Sequence, residues 1–159
     1  MNAILNTATG VEHLWFGNTL VSIVVPSGMG DDRICVVEHR APLGDSPPMH
    51  VHRREDEVFH LISGRIKFSV AGTERVLEAG ETMLAPKGVP HTYRVESPEG
   101  AHWLTVTRGA DFESMLRAAS RPAEKRTLPP AVEPSKEMIE TLGRLCAANG
   151  IDIVGPPLH

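Results

Sequence analysis

Residues 44–64 read GDSPPMHVHRREDEVFHLISG and hold two histidines and a glutamate between two glycines, at the spacing G-x(5)-H-x-H-x(4)-E-x(6)-G. Successive side chains of a β-strand point to opposite faces. His50 and His52 therefore project to one side of a strand, and Val51 projects to the other. Two imidazoles then converge on one point, ahead of Glu57.

The glutamate of this stretch follows a predicted turn. RRED separates His52 from Glu57 and resets the face on which the next strand begins. In that strand Glu57 shares a face with Phe59 and Leu61, whereas His60 lies on the opposite face. If Glu57 points into a barrel, His60 points out of it.

A second segment, residues 80–95, reads GETMLAPKGVPHTYRV with the spacing G-x(5)-P-x-G-x(2)-H. Glycine and proline in PKGVP predict a tight turn. That turn would deliver His91 from a later strand into the same interior as the first two histidines.

Together the segments offer three imidazoles and one carboxylate. Such a set suits one divalent first-row metal ion, Fe, Mn, Co, Ni, Cu or Zn, without deciding which. Because Glu55 and Asp56 adjoin Glu57, and acidic clusters are usually solvated turns, a site of three histidines alone stays open. With one carboxylate the site would keep about one positive charge and favour an organic anion. The predicted metal ligands are His50, His52, Glu57 and His91.

The rest of the chain predicts a β-rich body and a helical tail. From about residue 12 to 109, short runs rich in Val, Ile, Phe and Thr alternate with turn signals at the spacing typical of all-β barrels and sandwiches. Beyond that point, Asp111 is a good N-cap for a short helix. A second helix is predicted from Ser135 to a stop at Asn149, and IDIVGPP predicts a final short strand.

Composition limits the classes of function. The 159 residues favour one domain spanning 1–159, and 16 Lys and Arg against 20 Asp and Glu give a net charge of −4 without a basic stripe. We therefore expect no nucleic-acid partner. The first residues lack the pattern of a secretion signal, and no stretch is long and apolar enough to span a bilayer, so a cytoplasmic protein without a membrane partner is predicted. Cys35 and Cys146 are predicted to be buried, reduced thiols.

The two histidine-bearing segments resemble the two conserved motifs of the cupin superfamily. The resemblance implies an all-β fold, an antiparallel double-stranded β-helix or jelly-roll barrel over about 12–109, with a helical appendage over about 110–159. One position departs from the second motif, because Val95 stands where cupins usually have Asn. That position is not a metal ligand in cupins.

Within the cupins the chain resembles the small monocupin, quercetin 2,3-dioxygenase-like group in its motifs, the helix after the last barrel strand, the RTLPP connector and the tail near IVGPP. The resemblance implies a flavonol or other enolic substrate bound to the metal and cleaved by dioxygen, with Glu57 as both ligand and catalytic base. It also implies a homodimer, for which Val58 and Ile62 would offer an outer apolar face. Two alternatives use the same ligands: a redox-neutral isomerase or epimerase of a sugar or keto acid, and a non-catalytic small-molecule-binding protein.

Other residues receive structural interpretations. Phe59 and Trp103 are predicted to pack in the core, and Tyr93 either packs there or lines a pocket, with its hydroxyl needing a polar partner. Arg53 and Arg54 are predicted to be solvated and paired with nearby acids. The histidines predicted not to be ligands are His13, His39, His60, His102 and His159.

Overall fold

The structure is a computed structural model that describes residues 10–159. The prediction that the first residues are not a secretion signal falls partly on residues 1–9, and that part lies outside the described residues. The described chain forms a short 3-10 turn, twelve strands and two α-helices. The strands are β1 (Glu12–Phe16), β2 (Thr19–Val25), β3 (Ile34–Ala41), β4 (Pro48–His52), β5 (Glu57–Ser63), β6 (Arg65–Val70), β7 (Thr73–Glu78), β8 (Thr82–Ala85), β9 (His91–Val95), β10 (Ala101–Arg108), β11 (Arg121–Pro122) and β12 (Ile151–Pro157). The helices are α1 (Asp111–Ala119) and α2 (Lys136–Ala148).

The strands form two antiparallel sheets that face each other. One sheet has the order β11-β1-β2-β3-β10-β5-β8 and the other the order β12-β4-β9-β6-β7. Rings from the two sheets meet in the interior, where the centroids of Phe59 on β5 and Phe68 on β6 lie 4.9 Å apart. The prediction of an all-β jelly-roll barrel with a short helical appendage is confirmed.

Alternation along the strands places the core between the sheets. On β3, Cys35, Val37 and Ala41 are buried, whereas Ile34 at the start of the strand is 48% exposed. The same period of two on β5 buries Glu57 and leaves His60 on the outer face, as predicted. The inward positions of several strands therefore supply both the core and the candidate site.

The final glycine of the first motif has a structural role. Gly64 lies between β5 and β6 at φ +87°, a left-handed conformation that disfavours side chains. A Cβ atom there would also lie 2.5 Å from the carbonyl oxygen of Gly100. The tight turn and this close approach together require glycine.

Helix α1 begins at Asp111, so the prediction of Asp111 as its N-cap is wrong. Ala110 occupies the N-cap position and provides no side-chain hydrogen bond. Instead the carboxylate of Glu55 accepts hydrogen bonds from the backbone N–H groups of Asp111 and Phe112, both at 2.9 Å. Because Glu55 is only 2% exposed, its interpretation as part of a solvated acidic turn is also wrong. A negative charge at a helix N-terminus satisfies free N–H groups and interacts favourably with the helix dipole.

The second half of the tail follows the sequence pattern. The Ser135 hydroxyl accepts a hydrogen bond from the N–H of Met138 at the start of α2, and Gly150 follows the helix at φ +72°. The predicted last strand forms β12, which pairs with β4. Since β4 carries two of the candidate ligands, the tail lies directly beside the candidate site.

Both cysteines are buried and free, as predicted. Burial raises the pKa of Cys35 to about 12 and that of Cys146 to about 11, so both stay as unreactive thiols at neutral pH. Over residues 10–159, none of the helices has the length and apolar character needed to cross a membrane.

Candidate metal centre

Three strands bring the four predicted ligands to one place. His50 and His52 lie on β4, and His91 begins β9, the neighbour of β4, directly opposite His50. Glu57 begins β5 in the other sheet. Taking one donor atom from each residue, all four atoms lie within 4.8 Å of one another. The barrel thus assembles a cluster able to bind a metal ion from both of its sheets.

Glu57 is at the centre of this cluster. One of its oxygens, Oε2, lies 3.0 Å from His91 Nε2 and 3.2 Å from His52 Nε2. Glu57, His52 and His91 are each at most 3% exposed, and His50 is half-buried at the edge of the group. The donor atoms therefore converge in a nearly dry interior.

Backbone carbonyls orient two of the imidazoles. Nδ1 of His50 lies 2.7 Å from the carbonyl oxygen of Pro48, and Nδ1 of His91 lies 3.0 Å from that of Val89. A carbonyl oxygen only accepts hydrogen bonds, so Nδ1 carries the proton and Nε2 is left to bind. Supporting hydrogen bonds of this kind are the usual partners of metal-bound histidines.

His52 provides the test of whether the cluster fits a metal ion. It is 2% exposed, and neither of its ring nitrogens makes a hydrogen bond. Its Nε2 is close to Glu57, but the contact does not have hydrogen-bond geometry. Buried nitrogen atoms without a partner are costly, and a coordinated ion would satisfy Nε2. The donors present fit a divalent transition metal.

The surroundings of the cluster favour the ligating forms of Glu57 and His50. Burial alone would raise the pKa of Glu57, but the three surrounding imidazoles outweigh it and lower the pKa to about 2. Burial, together with the neighbouring imidazoles, lowers the pKa of His50 to about 4. Burial would also lower the pKa of His91, yet the contact with Glu57 raises it above its ordinary value. At neutral pH Glu57 is a carboxylate and His50 is neutral, as coordination requires.

The cluster faces an internal pocket whose walls are mainly apolar. Helices α1 and α2 and strand β12 close one side of it, so the tail predicted as an appendage forms part of the site. The apolar lining includes Phe16, Phe59, Trp103, Phe112, Met115, Leu116, Leu142, Cys146, Ile151 and Ile153.

The predicted aromatic residues take the expected places. Phe59 and Trp103 are buried in the core, which confirms their packing role, and both also line the pocket. Tyr93 lines the pocket too, and its hydroxyl donates a hydrogen bond to Asp45 Oδ2 at 3.2 Å. Burial raises the pKa of Asp45 to about 6, despite this hydrogen bond.

Three of the remaining histidines lie outside the cluster with partners of their own. His13 contacts Ser22, His60 contacts Thr82, and His102 lies 2.8 Å from a carboxylate oxygen of Glu38. His39 differs, because it is buried and lines the same pocket as the cluster. The sequence interpretation of His39 as an ordinary core or surface histidine missed this position. The alternation of β3, which places His39 inward with Val37, was the available signal.

Two arginines beside the cluster pair with the tail. Arg53 forms a two-point ion pair with Asp152 on β12, and Arg54 forms one with Asp111 at the start of α1. The predicted pairing with acids is correct, but the partners come from distant parts of the sequence and not from the adjacent turn.

Comparison with known proteins agrees with this architecture. Residues 37–107 match the family model of the cupin domain, and this segment contains the two motifs and all four residues of the cluster. With the jelly-roll fold, this match identifies the segment as a cupin domain.

One curated relative and several solved structures resemble the chain. Quercetin 2,3-dioxygenase of Bacillus subtilis is 27% identical over 97 residues, which are 61% of this chain and only 28% of that protein. A predicted oxalate decarboxylase from Thermotoga maritima has a TM-score of 0.56 at 15% identity, covering 66% of this chain and 97% of that one. A cupin-superfamily sugar phosphate isomerase from Silicibacter pomeroyi has a TM-score of 0.51 at 18% identity, covering 58% and 60%. At these identities the solved structures share the fold alone.

Proposed function

We propose that this cupin is a metal-dependent dioxygenase of a flavonol-like or other enolic small molecule that binds the ion directly through its oxygens. The observation that carries the proposal is the opening of the His50, His52, Glu57 and His91 cluster onto an apolar pocket. An aromatic enolate matches both parts, because its oxygens are anionic and its body is apolar.

The pocket lining argues against more polar substrates. Within the described part of the chain, neither lysine nor arginine lines it. A phosphate group would therefore find no second positive charge away from the ion, and burying it there would be costly. This disfavours a sugar phosphate or similar substrate of a redox-neutral isomerase.

The positions of the side chains support a role for each of them. His50, His52 and His91 would hold the ion, and the bound ion would supply Lewis acidity that stabilises an enolate. Glu57 would be the fourth ligand and would take the proton of the substrate hydroxyl. Its contacts with His52 and His91 lower its pKa and keep it a carboxylate, the form that can both bind the ion and accept a proton.

Oxygen uptake tests the proposal. Protein reconstituted separately with Fe, Mn, Co, Ni and Cu is challenged with quercetin and other enolic compounds, and dioxygen consumption is followed with an electrode. We expect uptake with at least one metal and its loss in Glu57→Gln, which keeps the size of the side chain and removes its charge. The matched control is Asp56→Asn, because Asn retains the oxygen that accepts a hydrogen bond from the N–H of Lys87.

Two results contradict the proposal. No uptake with any metal would favour an isomerase or a binding protein. Uptake that survives intact in Glu57→Gln with unchanged metal content would remove Glu57 from the chemistry.

A further inference from the structure

We propose that His39 contacts the substrate, binding a polar group that lies away from the enolic oxygens held at the metal centre. This inference rests on the proposed function and adds a requirement to it. The ligand would carry two separated polar ends, joined by an apolar, aromatic body.

The position of His39 is fixed by aromatic packing. It lies on the inner face of β3 and is 5% exposed. Its ring stacks on Trp103, with centroids 4.9 Å apart and planes 7° from parallel. The Phe112 ring lies 6.1 Å away, with its plane 21° from parallel. Since these neighbours hold the ring, the direction of its nitrogen atoms is fixed.

One nitrogen of His39 has no partner in the protein. Nε2 is buried and makes no hydrogen bond, although His39 lines the pocket that the metal cluster faces. Leaving a buried polar nitrogen unpaired is costly, so such a group calls for an explanation. A hydrogen-bonding group on a bound ligand would provide the missing partner.

The chemistry of His39 suits binding better than coordination. It is outside the group of four residues whose donor atoms converge. Burial lowers its pKa to about 4, so the ring is neutral at pH 7 and offers one donor and one acceptor. A neutral imidazole can therefore bind a hydroxyl or a carbonyl group.

Phe112 lies close to both polar regions of the pocket. Its ring lies 5.8 Å from that of His52 and 6.1 Å from that of His39. A ligand that touches both histidines has this ring within reach, and a flat aromatic body can pack against it. Quercetin has this form, because it carries ring hydroxyls far from its metal-binding oxygens, whereas 3-hydroxyflavone has the metal-binding oxygens alone.

The test compares these two probes in wild type and His39→Phe, both loaded with Zn²⁺ so that binding is measured without turnover. Phe keeps an aromatic ring to stack on Trp103 and removes the nitrogens. We expect His39→Phe to bind quercetin about tenfold more weakly, as loss of one buried hydrogen bond implies, with 3-hydroxyflavone affinity and zinc content unchanged. The matched control is His60→Phe on the outer face, which should change neither affinity.

The outcomes separate this inference from the proposed function. Equal affinities of the variant and wild type for quercetin, or equal losses for both probes, would overturn the role of His39. A different result would be flavonol binding that depends on His39 as expected, without oxygen uptake with any metal. It would overturn the proposed dioxygenase activity and support the role of His39.

Discussion

At the scale of single residues, two of the candidate ligands are oriented by the same local contact. His50 and His91 each place Nδ1 against the carbonyl oxygen two residues earlier, at Pro48 and Val89. The contact needs only the strand and the turn that contain the histidine. Nearby sequence therefore selects the tautomer that leaves Nε2 free to bind.

Replacing His50 by Ala should empty the metal centre. The loss of a direct ligand should weaken metal binding by more than the roughly 10- to 100-fold that follows loss of a supporting hydrogen bond. Because His50 is half-buried at the edge of the cluster, we expect the barrel to remain folded. Metal content by mass spectrometry and thermal unfolding check this, with His60→Ala as the control. Full metal binding by His50→Ala would exclude His50 as a ligand.

Asp45 should make stability fall as pH rises from about 4 to about 6. Its pKa is about 6 in the folded chain and 3.8 in the unfolded reference, so the folded chain binds more protons between these values. Ionisation on the rise to pH 6 therefore costs stability, on the order of 1 kcal/mol for a side chain that keeps some solvent contact.

Urea unfolding at pH 4 and pH 6.5 measures this effect. Between pH 4 and pH 6.5, the free energy of unfolding of Asp45→Asn should rise more, or fall less, than that of wild type, whereas the control Asp31→Asn, at an exposed position, should show the same change as wild type. Identical pH profiles for Asp45→Asn and wild type would contradict the assignment.

At the scale of elements, the turn between β4 and β5 connects the metal centre to the tail. Arg53 and Arg54 pair with acids on β12 and α1, and Glu55 binds the N-terminus of α1. Exposed ion pairs each contribute little, typically under about 1 kcal/mol. Glu55 is the strong attachment, because it is buried and accepts two hydrogen bonds.

Glu55→Ala should lower the free energy of unfolding by about 2–4 kcal/mol, because two N–H groups of α1, one buried and one partly buried, lose a charged acceptor. Chemical denaturation measures the loss. Glu55→Gln keeps an acceptor oxygen and should lose less, and the exposed Glu99→Ala should change little. A loss for Glu55→Ala no larger than that for Glu99→Ala would show that Glu55 does not hold the helix.

At the scale of the whole molecule, the outer face of the seven-stranded sheet carries an apolar row. Strand register places Val36, Val106, Val58 and Leu84 side by side across β3, β10, β5 and β8. Leu84 is 50% exposed, and nearby Ile62 is 42% exposed. A second copy packed on this row would cover apolar surface. We therefore predict a homodimer that forms through this face.

Sedimentation equilibrium at micromolar concentration checks the dimer. Wild type should have twice the chain mass of 17.3 kDa, and Val58→Lys should shift the protein to monomer because it places a charge in the centre of the row. Val76→Lys, on an exposed part of the other sheet, should stay dimeric. A wild-type monomer at these concentrations would refute the prediction.

The sequence by itself determined the fold class and the four clustered residues. Short strands have a period of two, and the spacing of His50 and His52 places both on one face before any tertiary contact is known. The turn chemistry of PKGVP likewise predicts the return of His91 to the same interior. Strand faces and turns depend on neighbours in sequence, so local rules are enough to find them, and the resemblance to the two cupin motifs indicated that the two segments meet.

Only the tertiary structure decided what surrounds the cluster. Glu55 became a buried helix cap because α1, more than fifty residues later, begins against it. His39 became a pocket residue because Trp103 and Phe112 pack on it from a different strand and a helix. Partners far apart in sequence leave no periodic signal, and packing between distant segments fixes them. The same packing turned the tail into a wall of the candidate site.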